Sequence, residues 1–75
     1  EANTADADIF PNPVSDKLHI VGTDVAHTAI VNAYGAILLE STENTIDVSN
    51  LPAGFYIACI TDNHGNRTAR RFVKK

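Results

Sequence analysis

Turn-forming residues interrupt this 75-residue chain at short, regular intervals, and they leave no room for a long helix or strand. Gly, Pro, Asn and Asp favour turns because they accept positive φ, fix φ, or bond their own backbone. Between the turns, apolar residues alternate with a period of two and do not recur every three or four positions. This pattern predicts an all-β protein of six or seven short strands, arranged as a sandwich or a barrel.

The alternation locates the strands and the core. We predict strands at residues 9–10, 17–21, 28–34, 36–41, 45–48, 55–61 and 67–73. A helix over residues 28–39 is the alternative, because Ala and Leu favour helices, although Gly35 and the β-branched residues oppose it. We expect most of the five Phe and Tyr residues in the core. The predicted core residues are Leu18, Ile20, Val31, Leu39, Ile46, Leu51, Tyr56, Ile57 and Phe72.

The length allows one domain with a thin core, and the single cysteine, Cys59, excludes an internal disulfide. Residues 1–8 are small, polar and acidic, so we predict a linker at 1–8 and a folded domain at 9–75. Residues 1–8 do not have the pattern of a secretory signal peptide, so we expect any such signal to lie upstream. The longest apolar run, residues 55–60, is too short to span a bilayer.

Charge divides the chain into an acidic body and a basic end. Nine acidic residues and one basic residue, Lys17, precede position 67, whereas five basic residues and no acidic ones follow from there. A basic end is typical of a recognition tag or of binding to an anionic partner. It also serves simply to keep a last strand soluble, and composition does not decide between these interpretations.

No arrangement of residues in the sequence favours catalysis or metal binding. His19, His27 and His64 fall on separate predicted elements at no zinc spacing. Cys59 lies in mid-strand without a flanking basic group, which favours a small buried apolar residue over a nucleophile. Asp16 alone does not make a calcium loop, which needs six or more oxygens. We therefore predict no enzyme activity, no metal and no cofactor, and no nucleic-acid partner because aromatics are not interleaved with the basic residues.

Two turns are the sharpest local signals. In residues 51–56 (LPAGFY), Pro52 fixes φ, Gly54 permits positive φ, and Tyr56 can return its hydroxyl to the turn as a tyrosine corner. Residues 11–16 (PNPVSD) form the second turn, where Ser15 or Asp16 can accept backbone N–H groups. Both turns are predicted to serve the architecture of the domain.

Three motifs, in this order and spacing, resemble a known family. They are FPNP at residues 10–13, DVSNLPAGFY at 47–56 and RRFVKK at 70–75. Over residues 9–75 the chain resembles the type A C-terminal sorting domain of Bacteroidetes proteins that use the type IX, or Por, secretion system. The positions that match the family motifs and form its turns are Pro11, Asn12, Pro13, Leu51, Pro52, Gly54 and Tyr56. The candidate recognition residues are Arg70, Arg71, Lys74 and Lys75.

The resemblance implies an immunoglobulin-like antiparallel sandwich of about seven strands at the end of a larger cargo protein. It also implies transit through the periplasm, delivery to the outer-membrane type IX translocon, and removal by a surface sortase in or before residues 1–8. The cargo then stays at the cell surface or becomes extracellular. No cofactor and no transmembrane segment is implied.

An immunoglobulin-like adhesion or carbohydrate-binding module of a cell-surface protein is the main alternative. Such modules usually present exposed aromatic side chains. The sequence has no Trp, and the expected burial of its Phe and Tyr residues argues against this alternative. A small enzyme has almost no support from the residues present.

Overall fold

The computed structural model describes residues 5–75, and within that range the chain forms seven β-strands and no helix. The strands, in chain order, are β1 Ala7–Phe10, β2 Lys17–Gly22, β3 Val25–Val31, β4 Ile37–Ser41, β5 Thr45–Asp47, β6 Gly54–Asp62 and β7 Arg67–Lys74. All the named strand pairs are antiparallel. The all-β prediction is therefore confirmed.

The strands form two sheets that pack face to face. A three-stranded sheet has the order β1-β2-β5, and a four-stranded sheet has the order β4-β3-β6-β7. This is the strand arrangement of an immunoglobulin-type sandwich in which the fourth strand pairs with the third. The predicted sandwich is confirmed, and a barrel is not formed.

The alternative prediction of a helix over residues 28–39 is wrong, because β3 and β4 form a hairpin there. A turn at Asn32 separates the two strands: its Oδ1 accepts the amides of Tyr34 at 2.9 Å and Ala36 at 3.0 Å. An Asn side chain that bonds the backbone two and four residues ahead favours a turn over a continuing strand or helix. β3 therefore ends at Val31, three residues before the predicted strand end.

Most of the predicted core residues lie between the two sheets. Leu18, Ile20, Ile46, Tyr56 and Phe72 are buried, and Leu39 and Leu51 pack against them. Val31 and Ile57 were predicted in the core as well, and that prediction is wrong. Their places are taken by Ile30, Ala58 and Ile60, which are fully buried. Val31 pairs with Ile57 on the outward side of the four-stranded sheet.

The expectation that most aromatic side chains are buried is also wrong. Tyr56 and Phe72 are in the core, but Phe10 is 49% exposed, Phe55 67% and Tyr34 95%. Phe55 follows from the alternation of β6, since its neighbour Tyr56 points inward and a strand sends successive side chains to opposite faces.

β1 begins at Ala7, two residues before the predicted start of the domain. Ala5 and Ala7 are buried, and the Ala5 amide donates to the Arg67 carbonyl at 3.1 Å. The predicted boundary between linker and domain thus falls inside β1. The linker prediction for residues 1–4 lies outside the described residues.

Candidate functional site

The last strand, β7, is held on both of its sides. It pairs with β6 from Arg67 to Lys74, and its outer edge is covered near the end by the segment that follows β1. There the Val14 amide donates to the Val73 carbonyl at 2.8 Å, and the Lys75 amide donates to the Val14 carbonyl at 2.9 Å. Val14 is fully buried, so this short parallel contact also contributes to the core.

Asn12 extends this cover by using its side chain in place of a strand backbone. Its Oδ1 accepts the Val73 amide at 2.9 Å, and its Nδ2 donates to the Arg71 carbonyl at 3.3 Å. Asn12, rather than the predicted Ser15 or Asp16, supplies the side-chain hydrogen bonds of the PNP turn. The prolines on either side of it are exposed, and both peptide bonds that precede them are cis. We call this contact the Asn12 clamp.

The LPAGFY turn leads into β6 as predicted. Gly54 has a φ of 152°, and the Tyr56 hydroxyl donates to the Pro52 carbonyl at 2.6 Å, which is the geometry of a tyrosine corner. The Tyr56 ring stacks on Phe72 of β7 with 5.8 Å between ring centroids. Tyr56 therefore connects the turn to the last strand through the core.

Asp47 begins the segment that leads into this turn. Hydrogen bonds from the Ser49 side chain and from the Ser49 amide, at 2.9 Å to Oδ1, lower the pKa of Asp47 to about 2, and Lys17 at 3.2 Å acts in the same direction. The carboxylate stays ionised and holds the bend after β5.

Asp62 has the corresponding position in the β6–β7 hairpin. Desolvation raises the pKa of its carboxyl group, but hydrogen bonds from Asn66 and from the His64 amide outweigh that and lower it overall. In both turns, the carboxylate accepts hydrogen bonds from residues of the turn, and these bonds lower the pKa of the aspartate.

The four basic candidate residues do not form one patch. Arg70 turns back to the first strand: its Nε donates to the Ala7 carbonyl at 3.0 Å and lies 3.7 Å from Asp8 Oδ1. Arg71 lies on the outward side of the four-stranded sheet, and Lys75 is exposed.

Lys74 is only 7% exposed, so this candidate recognition residue does not present an exposed charge to a partner. Its Nζ donates to the Lys75 carbonyl at 2.9 Å. The alternation of β7 explains the position, because Lys74 shares the inward side with Phe72. The two-residue spacing of Phe72 and Lys74 in the sequence already indicates that both side chains point inward.

The residues considered for catalysis or metal binding do not come together in the part of the chain that the structure describes. Within residues 5–75, no three His, Cys, Asp or Glu side chains lie close enough together to hold a metal ion. His19 Nδ1 contacts Thr45 Oγ1 at 3.2 Å, and His64 Nε2 lies 3.6 Å from Asp24 Oδ2. Cys59 is half-buried on the outward side of β6, not in the core as expected. In the same range, no helix is long and apolar enough to cross a membrane.

The fold and the joined motifs define a small immunoglobulin-type sandwich whose first turn and last strand form one unit. Comparison with protein families identifies it further. The model of the family described as "Secretion system C-terminal sorting domain" matches residues 8–75, and the chain belongs to that family. It is a C-terminal sorting signal for type IX secretion. The searches of curated proteins and of solved structures gave no match.

Family membership implies interaction with the type IX machinery and export to the cell surface or the extracellular space. Nothing in these findings supports the adhesion or carbohydrate-binding alternative. Of the two arguments against that alternative, the expected burial of the aromatic residues does not hold, because Tyr34 and Phe55 are exposed, whereas the absence of Trp stands.

Proposed function

We propose that this domain directs an upstream cargo from the periplasm to the outer-membrane translocon, and that a surface sortase then removes it in or before residues 1–8. The Asn12 clamp is the observation that carries the proposal. It joins two motifs that are about 60 positions apart in the sequence, so that a partner meets them as one folded surface. The domain itself catalyses nothing in this scheme, and any activity belongs to the cargo.

Charge complementarity is the mode of recognition that this geometry favours. Pairing of a partner strand with the end of β7 is opposed, because Asn12 and Val14 already use the outer edge there. Arg71 and Lys75 are accessible and can attract an acidic surface of the machinery. Arg70 and Lys74 instead support the fold through the contacts described above.

A fusion experiment tests this division of roles. A periplasm-targeted passenger that ends in residues 1–75 is expressed in a type IX-competent bacterium, and surface display is measured. We expect display of the unmodified fusion and reduced display of Lys75→Gln at an unchanged melting temperature, since an exposed charge contributes little to stability.

Lys74→Met is the matched variant, because it removes the neighbouring charge and keeps an apolar stem in the buried site. We expect Lys74→Met to keep its display. Retention of the unmodified fusion in the periplasm would reject the sorting function. Normal display of Lys75→Gln would reject Lys75 as a recognition residue.

A further inference from the structure

The outward side of the four-stranded sheet is unusually apolar for a surface that has no covering layer. An antiparallel sheet with one face in water normally alternates apolar inward with polar outward residues. Here the outward positions at the centre of the sheet are almost all apolar. They are Ala29 and Val31 on β3, Phe55, Ile57 and Cys59 on β6, and Ala69 and Val73 on β7.

One end of this face forms an open groove with the guanidinium group of Arg71 at its side. Ala33, Phe55, Tyr56, Ile57 and Arg71 line it, and we call it the Phe55 groove. The ion pairs found in residues 5–75 do not include Arg71. An apolar floor beside an unpaired guanidinium fits a ligand that presents an apolar side chain next to a carboxylate.

The position of the groove argues against the upstream cargo as its occupant. The chain enters the domain beside Arg67, where the Ala5 amide is bonded. Phe55 pairs with Val73, six residues further along β7, which places the groove about 20 Å from the entry point at the rise of a β-strand. The groove therefore lies at the end of β7 that is away from the point where the chain enters the domain.

We infer that the Phe55 groove is a docking site for a protein of the type IX machinery that presents an apolar side chain beside a carboxylate. The inference rests on the proposed function and deepens it, because it assigns the partner's contact to the outward face of β7, next to the residues whose backbone the Asn12 clamp holds. Exposed apolar patches with a charged rim are typical of protein interaction sites. Arg is enriched in the central contacts of such sites.

Two groove variants and two matched controls test the inference in the same fusion. Phe55→Ser removes the apolar floor, and Arg71→Glu reverses the charge at its side. Val21→Ser removes an apolar side chain that is 47% exposed on the other sheet, and Arg67→Glu makes the same charge reversal four residues away on β7. We expect about tenfold lower display for each groove variant and near-normal display for each control.

A crosslinking measurement covers the case in which a groove variant loses its fold. A photoreactive phenylalanine analogue at position 55 retains the ring, and the same analogue at position 21 is the control. We expect irradiation to join position 55, and not position 21, to an outer-membrane component of the type IX machinery.

The outcomes separate the two proposals. Normal display of folded Phe55→Ser and Arg71→Glu would overturn the docking site while leaving the sorting function intact. Equal loss for Arg67→Glu and Arg71→Glu would overturn it too, because net charge rather than the groove would then be responsible. Crosslinks from position 55 to the cargo, to a second copy or to lipid would identify a different occupant and reject the inference. Retention of the unmodified fusion would reject the sorting function first.

Discussion

The outward faces of the two sheets differ sharply in chemistry. On the three-stranded sheet, Lys17 pairs with Asp47 at 3.2 Å and His19 contacts Thr45 at 3.2 Å, so polar side chains of adjacent strands satisfy one another. The exposed ring of Phe10 lies against His19, with 5.1 Å between centroids. Most outward positions of this sheet are therefore polar, although Phe10 and Val21 are each about half exposed there.

On the four-stranded sheet the outward positions carry Val31, Ile57 and Phe55 in place of such polar pairs. The fold does not require them, because the inward row of β6, with Tyr56, Ala58 and Ile60, already supplies the core. The difference shows that a strand such as β6, with apolar side chains on both of its faces, can use each face for a different purpose. One row of side chains stabilises the sandwich, and the other is available for contact with another molecule.

The largest expected effect separates the two faces of the four-stranded sheet. Phe72→Ala removes a fully buried ring and should cost about 3–5 kcal/mol, which is enough to unfold a domain of this size. Phe55→Ala removes an exposed ring and should change the free energy of unfolding by less than about 1 kcal/mol. Urea unfolding of both variants measures this, and equal losses would contradict the assignment of the faces.

The Asn12 clamp is expected to have the next largest effect. Asn12→Ala removes both hydrogen bonds to β7, and we expect a loss of about 1–2 kcal/mol in the same assay. Asn12→Asp keeps an acceptor for the Val73 amide and loses the donor to Arg71, so its loss should be smaller. An unchanged midpoint for Asn12→Ala would show that Val14 alone holds the edge.

Thr28 offers a stabilising change on the inward face. Its side chain is fully buried, and its Oγ1 has no hydrogen-bond partner among the atoms described for residues 5–75. Thr28→Val keeps the shape and removes the unsatisfied hydroxyl, so we expect a gain of about 1 kcal/mol by thermal unfolding. Thr61→Val, on the outward side of β6, is the control and should have little effect. Destabilisation by Thr28→Val would indicate that the hydroxyl is bonded after all.

The smallest effect concerns acid and the two turn aspartates. Because the pKa of Asp47 falls from an ordinary 3.8 to about 2 in the folded state, its stabilising contribution is complete only above about pH 5. The contribution is lost as the pH falls through that interval towards 2. Asp62 acts in the same direction.

Unfolding midpoints measured between pH 5 and about 2 should therefore fall less steeply for Asp47→Asn and Asp62→Asn than for the unmodified chain. Identical slopes in all three proteins would contradict the lowered pKa values of these two aspartates in the folded state.

The parts of this fold that depend on neighbouring residues could be predicted from the sequence. Pro52, Gly54 and Tyr56 lie within five positions of one another, and their turn has the expected positive φ and hydroxyl bond. The strand pattern followed from the turns for the same reason. Local chemistry is sufficient where both partners of an interaction are close in the chain.

Features that depend on distant partners could not be predicted in this way. Both rows of β3 and β6 are apolar, so alternation alone cannot choose between Ile30 and Val31 for the core; the pairing with β6 decides. Asn12 finds its partners about 60 residues later, and nothing near it indicates them. The burial of Lys74 could be predicted from the sequence, because Lys74 lies two residues after Phe72 and so shares its inward face on β7.

The Asn12 clamp also has a consequence for protein synthesis. Asn12 and Val14 emerge from the ribosome before their partners at positions 71–75, which lie about 60 residues later in the chain. Until those residues have been made, the first turn has nothing to hold and the Tyr56 ring has no Phe72 to stack upon. A chain that stops before position 71 therefore lacks both the partners of Asn12 and the ring that packs on Tyr56, and it cannot complete the domain.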